Sequence, residues 1–171
     1  TLPASSAASD VYKRQGRQTP GEINMSPMSP SDVQLKIPGR KYGKPIPMTE
    51  EDIQDVINRF VFAAKIARES GFDGIQLHSA HGYLLSQFLS PDINQRSDAW
   101  GGSLENRARI HLEIIKKCRE EVGNDFAISI KMNSADFQKG GFSPEDSVQV
   151  AKLFSDSGID NIEISGGTYE Q

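Results

Sequence analysis

Cysteine is almost missing from this chain, with Cys118 standing alone among 171 residues. A single thiol excludes an internal disulfide and any cysteine-built metal or iron–sulfur cage, and it suits a reducing compartment. Burial on an apolar face is the expected place for Cys118. Long apolar runs are missing too. None approaches the roughly 20 residues that a membrane-spanning helix needs, and the N-terminus has no apolar signal-peptide core. The reading is a soluble, cytoplasmic protein without a membrane partner. The third absence is clustered positive charge. The net charge is -4, from 19 Lys and Arg against 23 Asp and Glu, and the basic residues are scattered, whereas a nucleic-acid module carries a basic face. No nucleic acid is expected as a partner. What remains is a globular composition, 36% hydrophobic and 25% charged, in a length that suits one domain.

Residues 1–15 are rich in Ala and Ser and carry no helical or strand period, so they read as a loose tail outside the fold. Pro20, Pro27, Pro30, Pro38, Pro45 and Pro47 then forbid a continuous helix or central strand, because each fixes φ and removes a backbone donor. A long loop is expected there. Regular structure begins at Thr49-Glu-Glu-Asp52, a helix-start signature, with Ile53, Val56, Ile57, Phe60 and Ala64 at helical spacing. Gly71 stops this helix, and Ile75 and Leu77 alternate as a strand. A second helix from Ser103 places Ala108, Leu112, Ile115, Cys118 and Val122 on one face, and a strand over Phe126 to Met132 follows. The third helix starts at Ser143-Pro144-Glu145-Asp146, with a capping serine, proline in the first turn and carboxylates at the positive end of the dipole. The strand Asn161 to Ser165 closes the pattern.

The three helix-to-strand junctions share one spelling, Gly71-Phe72-Asp73, Gly123-Asn124-Asp125 and Gly158-Ile159-Asp160. Helices alternating with short apolar strands imply an α/β fold with a parallel sheet, either a barrel or a doubly wound sheet. No G-x-G-x-x-G follows a strand, which counts against a Rossmann fold. Polar residues gather after the strands: His78, His81 and Tyr83 after the first, Lys131, Asn133 and Asp136 after the second, Ser165, Gly166 and Gly167 after the third. In a barrel these positions share the C-terminal face, where active sites sit. Two histidines three apart could ligate a metal, yet a closed site wants three or four ligands and no further His or Cys has matching spacing. They could also be plain hydrogen-bonding residues at a loop start. Paired imidazoles beside a tyrosine make better sense as two N–H donors aimed at one oxygen, with a phenol as a weak acid nearby.

The run from Gly71 through His78, His81 and Tyr83 to Pro91 closely resembles the signature of Old Yellow Enzyme-like NADH:flavin oxidoreductases. The stretches Asn94 to Arg109, Lys131 to Gly141 and Ile162 to Tyr169 resemble the family's following segments. The resemblance implies a TIM (β/α)8 barrel of which residues 16–171 supply about strands 4 to 6 with their helices. It implies FMN as cofactor, NADH or NADPH as reductant, and reduction of the C=C bond of an enone or related electrophilic alkene. His78 and His81 match the catalytic, substrate-binding pair that holds the electron-withdrawing oxygen, and Tyr83 matches the proton donor. Lys131 matches the basic residue that faces the flavin, where many members carry Arg. No resident metal is implied, and the full-length parent could be a homo-oligomer. Asp98, Glu105, Asn106 and Arg107 read as structural, tying the long loop to its helix. Residues 1–15 do not fit the family pattern, so the expectation is a truncated or misassembled coding sequence. A non-catalytic piece that folds poorly and holds no flavin is the first rival reading. The second is a flavin-independent barrel using Lys131 as a Schiff-base amine.

Overall fold

The computed structural model describes residues 15–170, so all but Gln15 of the expected tail lies outside the described residues. The proline-rich segment opens with a 3-10 turn at Gly16–Gln18. It also contains two short strands, β1 (Met28–Ser29) and β2 (Ile46–Pro47), which pair in parallel. The expected long loop is thus held by a small ladder. Pro47 is tolerated in so short a strand because little of the ladder requires its missing N–H.

The first long helix, α1 (Glu50–Glu69), starts where its cap places it. The Thr49 hydroxyl accepts from the Asp52 N–H while the Asp52 carboxylate accepts from the Thr49 N–H, so two orphan donors are satisfied at once. Strand β3 (Gly74–Ser79) follows, then α2 (Leu84–Leu89), α3 (Leu104–Val122), β4 (Ala127–Asn133), α4 (Pro144–Asp156) and β5 (Asn161–Ser165). Sequence periodicity misses α2, because all six of its residues are buried and no face is left exposed. The strand expected over Phe126 to Met132 begins and ends one residue later. Gly71, Gly123 and Gly158 all have positive φ, at 83°, 74° and 89°, as a helix-to-strand corner in the left-handed region requires.

Strands β3, β4 and β5 form one parallel sheet in that order. Its two faces differ in chemistry. Leu77, Ile128, Ile130 and Met132 are buried in a core shared with α1, α3 and α4. The register places His78 beside Lys131 and Lys131 beside Glu163, so the opposite face is a polar row. The corner aspartates lock successive units together, since Asp125 pairs with Arg68 of α1 and Asp160 pairs with Arg119 of α3. Phe60 and Leu112, expected in the core, are only partly buried, while Ile110 and Ile114 are fully buried. Helix α3 is covered on a wider arc than one stripe because α1, α2 and α4 all pack against it. Cys118 is fully buried, and burial pushes its thiol up to about 12, which leaves it inert.

His111 on α3 is fully buried, with Nε2 2.7 Å from the Ser79 Oγ. Desolvation pushes its pKa down to about 3. A base whose folded pKa lies below its unfolded value binds fewer protons folded than unfolded, so stability is intact above the unfolded pKa and falls as the pH drops. The expected result is a loss on the order of several kcal/mol between pH 6.5 and about 3. Thermal melts across that range check it, and His111→Gln should flatten the slope.

Candidate active site

The polar face ends in a cluster at the C-terminal ends of the strands. His78 lies inside β3, and its ring centroid is 5.3 Å from that of His81 and 5.4 Å from that of Tyr83. The chain turns sharply between them. His81 sits at φ 60°, Gly82 at φ 75°, and Tyr83 caps α2. A side chain at Gly82 would meet the Gln18 amide. The turn is pinned by Gln87, fully buried on α2, which donates to the Gly82 and Gln15 carbonyls and accepts from the Arg17 N–H and the Ser29 hydroxyl. A helix with no exposed face thus carries the amide that joins the N-terminal turn and β1 to the histidine loop.

Asn133 ties the three strand ends together. Its Oδ1 accepts from the His81 N–H at 3.0 Å, while its Nδ2 donates to Asp136 and to the Gly167 carbonyl. Asp136 also accepts from the Phe142 N–H. Asn133 and Asp136 are therefore brackets, each 1% exposed, and not groups that face a ligand. Lys131 and Asn133 lie within β4 and His78 within β3, which corrects the expectation that they follow their strands. The alternation of side chains puts them on the open face all the same.

The electrostatics favour neutral donors. Removal from water, the neighbouring imidazole and the Lys131 ammonium push His78 down to about 4, partly opposed by Glu163. Desolvation and Lys131 push His81 the same way. Both rings are uncharged at neutral pH and each carries one N–H. Tyr83 is pushed up to about 12 by desolvation and by Tyr169, whose hydroxyl is 3.3 Å from its own, so the phenol keeps its proton. Lys131 Nζ lies 2.8 Å from Glu163 Oε1, and Gln76 donates to Glu163 Oε2 at 2.9 Å. The Lys131 charge is thus shared with a carboxylate that the sequence reading overlooked. Glu163 could have been found from strand parity, since it lies two residues before Ser165 in β5. Tyr169 had no such signal.

His81 Nε2 is 2.7 Å from Ser165 Oγ, whereas no described residue hydrogen-bonds the His78 ring. The two imidazoles are brought together, but one is already engaged. Among the described residues no group of three His, Cys, Asp or Glu converges as a metal site, and no helix is long and apolar enough to cross a membrane.

The chain is similar to known proteins over most of its length. A family model described as NADH:flavin oxidoreductase / NADH oxidase matches residues 4–169, beginning within the segment 1–15 that the sequence reading set apart. An NADH oxidase of Thermoanaerobacter brockii is 41% identical over 157 residues, covering 91% of this chain and 24% of that protein. The solved complex of 2-naphthoyl-CoA reductase with 2-naphthoyl-CoA superposes with a TM-score of 0.86 at 33% identity, over 92% of this chain and 26% of that one. The old yellow enzyme homologue from Zymomonas mobilis gives 0.75 at 26% identity, over 92% of this chain and 49% of that one. The chain spans less than half the length of similar curated relatives, from 17% to 41% of them.

Proposed function

Since the chain belongs to the NADH:flavin oxidoreductase / NADH oxidase family, whose cofactors are FMN and NADH or NADPH, we propose that the protein reduces the C=C bond of α,β-unsaturated carbonyl compounds. The observation that carries this reading is the grouping of two neutral imidazoles and a protonated phenol, at centroid separations of 5.3 and 5.4 Å from His78. His78 and His81 hold the carbonyl oxygen of the alkene by N–H donation, and this interaction strengthens as negative charge gathers there. Tyr83 gives its proton to the α carbon and regains one from water. When bound and reduced by NADH or NADPH, FMN would supply the hydride that the β carbon receives.

The residues present fit that cofactor. Lys131 places an ammonium on the open polar face beside His78, and an ammonium has three donors of which Glu163 takes one. Lys131 would hold the electron-rich edge of the ring as a compact charge, without the planar fork of an arginine. We read the three parallel units as about strands 4 to 6 of a (β/α)8 barrel, with the domain running over residues 16–171. A second reading, a piece of barrel that binds no flavin, is favoured by Ile164. It points to the apolar side of β5 and is 55% exposed, and β3 and β5 are both sheet edges among the described residues.

The test is a visible absorption spectrum of the purified chain with added FMN, alongside circular dichroism. The expected result is a bound flavin that NAD(P)H bleaches and an enone restores. Bleaching that oxygen reverses but enones do not would overturn the C=C assignment. A folded chain that ignores FMN would overturn the role of Lys131 and leave the second reading.

A further inference from the structure

His81 is held before its ring makes any contact. Its backbone lies in the left-handed region at φ 60°, its N–H donates to Asn133 Oδ1 at 3.0 Å, and its carbonyl accepts from Gln18 Nε2 at 3.0 Å. It also forms a parallel bridge with Thr168, just beyond β5. Asn133 cannot yield, because its own amide is spent on Asp136 and the Gly167 carbonyl. The ring therefore arrives at a place chosen by the backbone, and there its Nε2 meets the Ser165 Oγ at 2.7 Å. Ser165 is equally fixed, as the last residue of β5, with its carbonyl accepting from the Ser134 N–H at 2.6 Å.

A neutral imidazole carries one N–H, and a serine hydroxyl can donate or accept, so the contact has two forms. In the first, Nε2–H donates to Ser165 and Nδ1 is left as a bare lone pair. A lone pair turned to an oxygen that gains negative charge raises the barrier. In the second, the Ser165 hydroxyl donates to Nε2 and the ring proton resides on Nδ1, which has no hydrogen-bond partner among the described residues. Only the second form leaves His81 a donor to offer. The hydrogen bond at one ring nitrogen sets the chemistry available at the other.

We propose that Ser165 is a positioning residue that holds His81 as the Nδ1–H tautomer, so that the imidazole is a donor toward the substrate oxygen before any substrate arrives. This rests on the reading of His78 and His81 as an oxygen-binding pair. In this proposal Ser165 acts through His81.

Long-range 1H–15N correlation spectra of the chain, labelled at histidine and recorded at neutral pH without flavin or substrate, read the tautomer directly. The expected result is a protonated Nδ1 and an unprotonated Nε2 at His81. Ser165→Ala is expected to move the proton to Nε2, and Ser165→Thr, which keeps the hydroxyl, to leave it on Nδ1. A wild-type ring protonated at Nε2, or a Ser165→Ala ring still protonated at Nδ1, would overturn the proposal. In flavin-loaded protein, Ser165→Ala should slow enone reduction about tenfold, with Ser165→Thr restoring it and flavin reduction by NADH unchanged. The spectra need no flavin, so an absence of FMN binding sinks the family-based mechanism without touching the tautomer result.

Discussion

Alanine in place of His78 is expected to slow the enone-dependent half of the cycle by about 10² to 10³-fold, the range for loss of one preorganised donor to an oxyanion. Flavin reduction by NADH should be unaffected, because the donor acts only on the acceptor's oxygen. His78 suits this test better than His81. No described residue hydrogen-bonds its ring, so its removal orphans no partner, whereas His81 is bound to Ser165 and sits in the clamped turn. The melting temperature of His78→Ala should match that of the parent. Stopped-flow absorbance separates the two half-reactions. If enones reoxidise the variant at the parental rate, the imidazole pair is not the oxygen site. If both halves slow together, His78 serves the flavin or the fold.

Arginine 107 carries the largest expected effect on stability. It is 6% exposed, and its guanidinium donates to the Leu89 carbonyl at the end of α2, to the Gly102 carbonyl before α3, and to Asp146 at the start of α4. One planar group thus satisfies two loop carbonyls and ties three helices. Arg107→Ala leaves those carbonyls and a half-buried carboxylate without their partner, and removing one member of a buried pair costs about 3–5 kcal/mol. Denaturant unfolding followed by circular dichroism should show that drop. A paired Asp146→Asn change should cost less, because the two carbonyl contacts survive it. A loss below about 1 kcal/mol would place Arg107 among ordinary exposed ion pairs. The same residue answers the expectation that Asp98, Glu105, Asn106 and Arg107 are structural. Asp98 binds Arg96 and the Trp100 N–H, and Asn106 accepts from Arg109, while Glu105 is exposed in the first turn of α3.

The sequence by itself determined the helix caps and the helix-to-strand corners, which depend on neighbours a few residues apart. Thr49 with Asp52, Ser103 with Asn106 and Ser143 with Asp146 are caps closed within one turn, and the Gly-x-Asp corners announce their own left-handed bend. Helices α1, α3 and α4 and the strands β3 to β5 were therefore legible. So was the gathering of His78, His81, Tyr83 and Lys131 on one side of a parallel sheet, because it follows from strand order and side-chain alternation. Helix α2 was not legible, since a segment buried on all sides has no period to read. Tertiary structure alone decided the partners of those site residues. Ser165 is 84 residues from His81, Glu163 is 32 from Lys131, Tyr169 is 86 from Tyr83, and the Gln87 amide reaches back 70 residues to Arg17. Which residue faces which across that distance is set by strand register and by how helices fill the apolar side. A shift of one residue in the strands would turn Lys131, Glu163 and Ser165 to the opposite face.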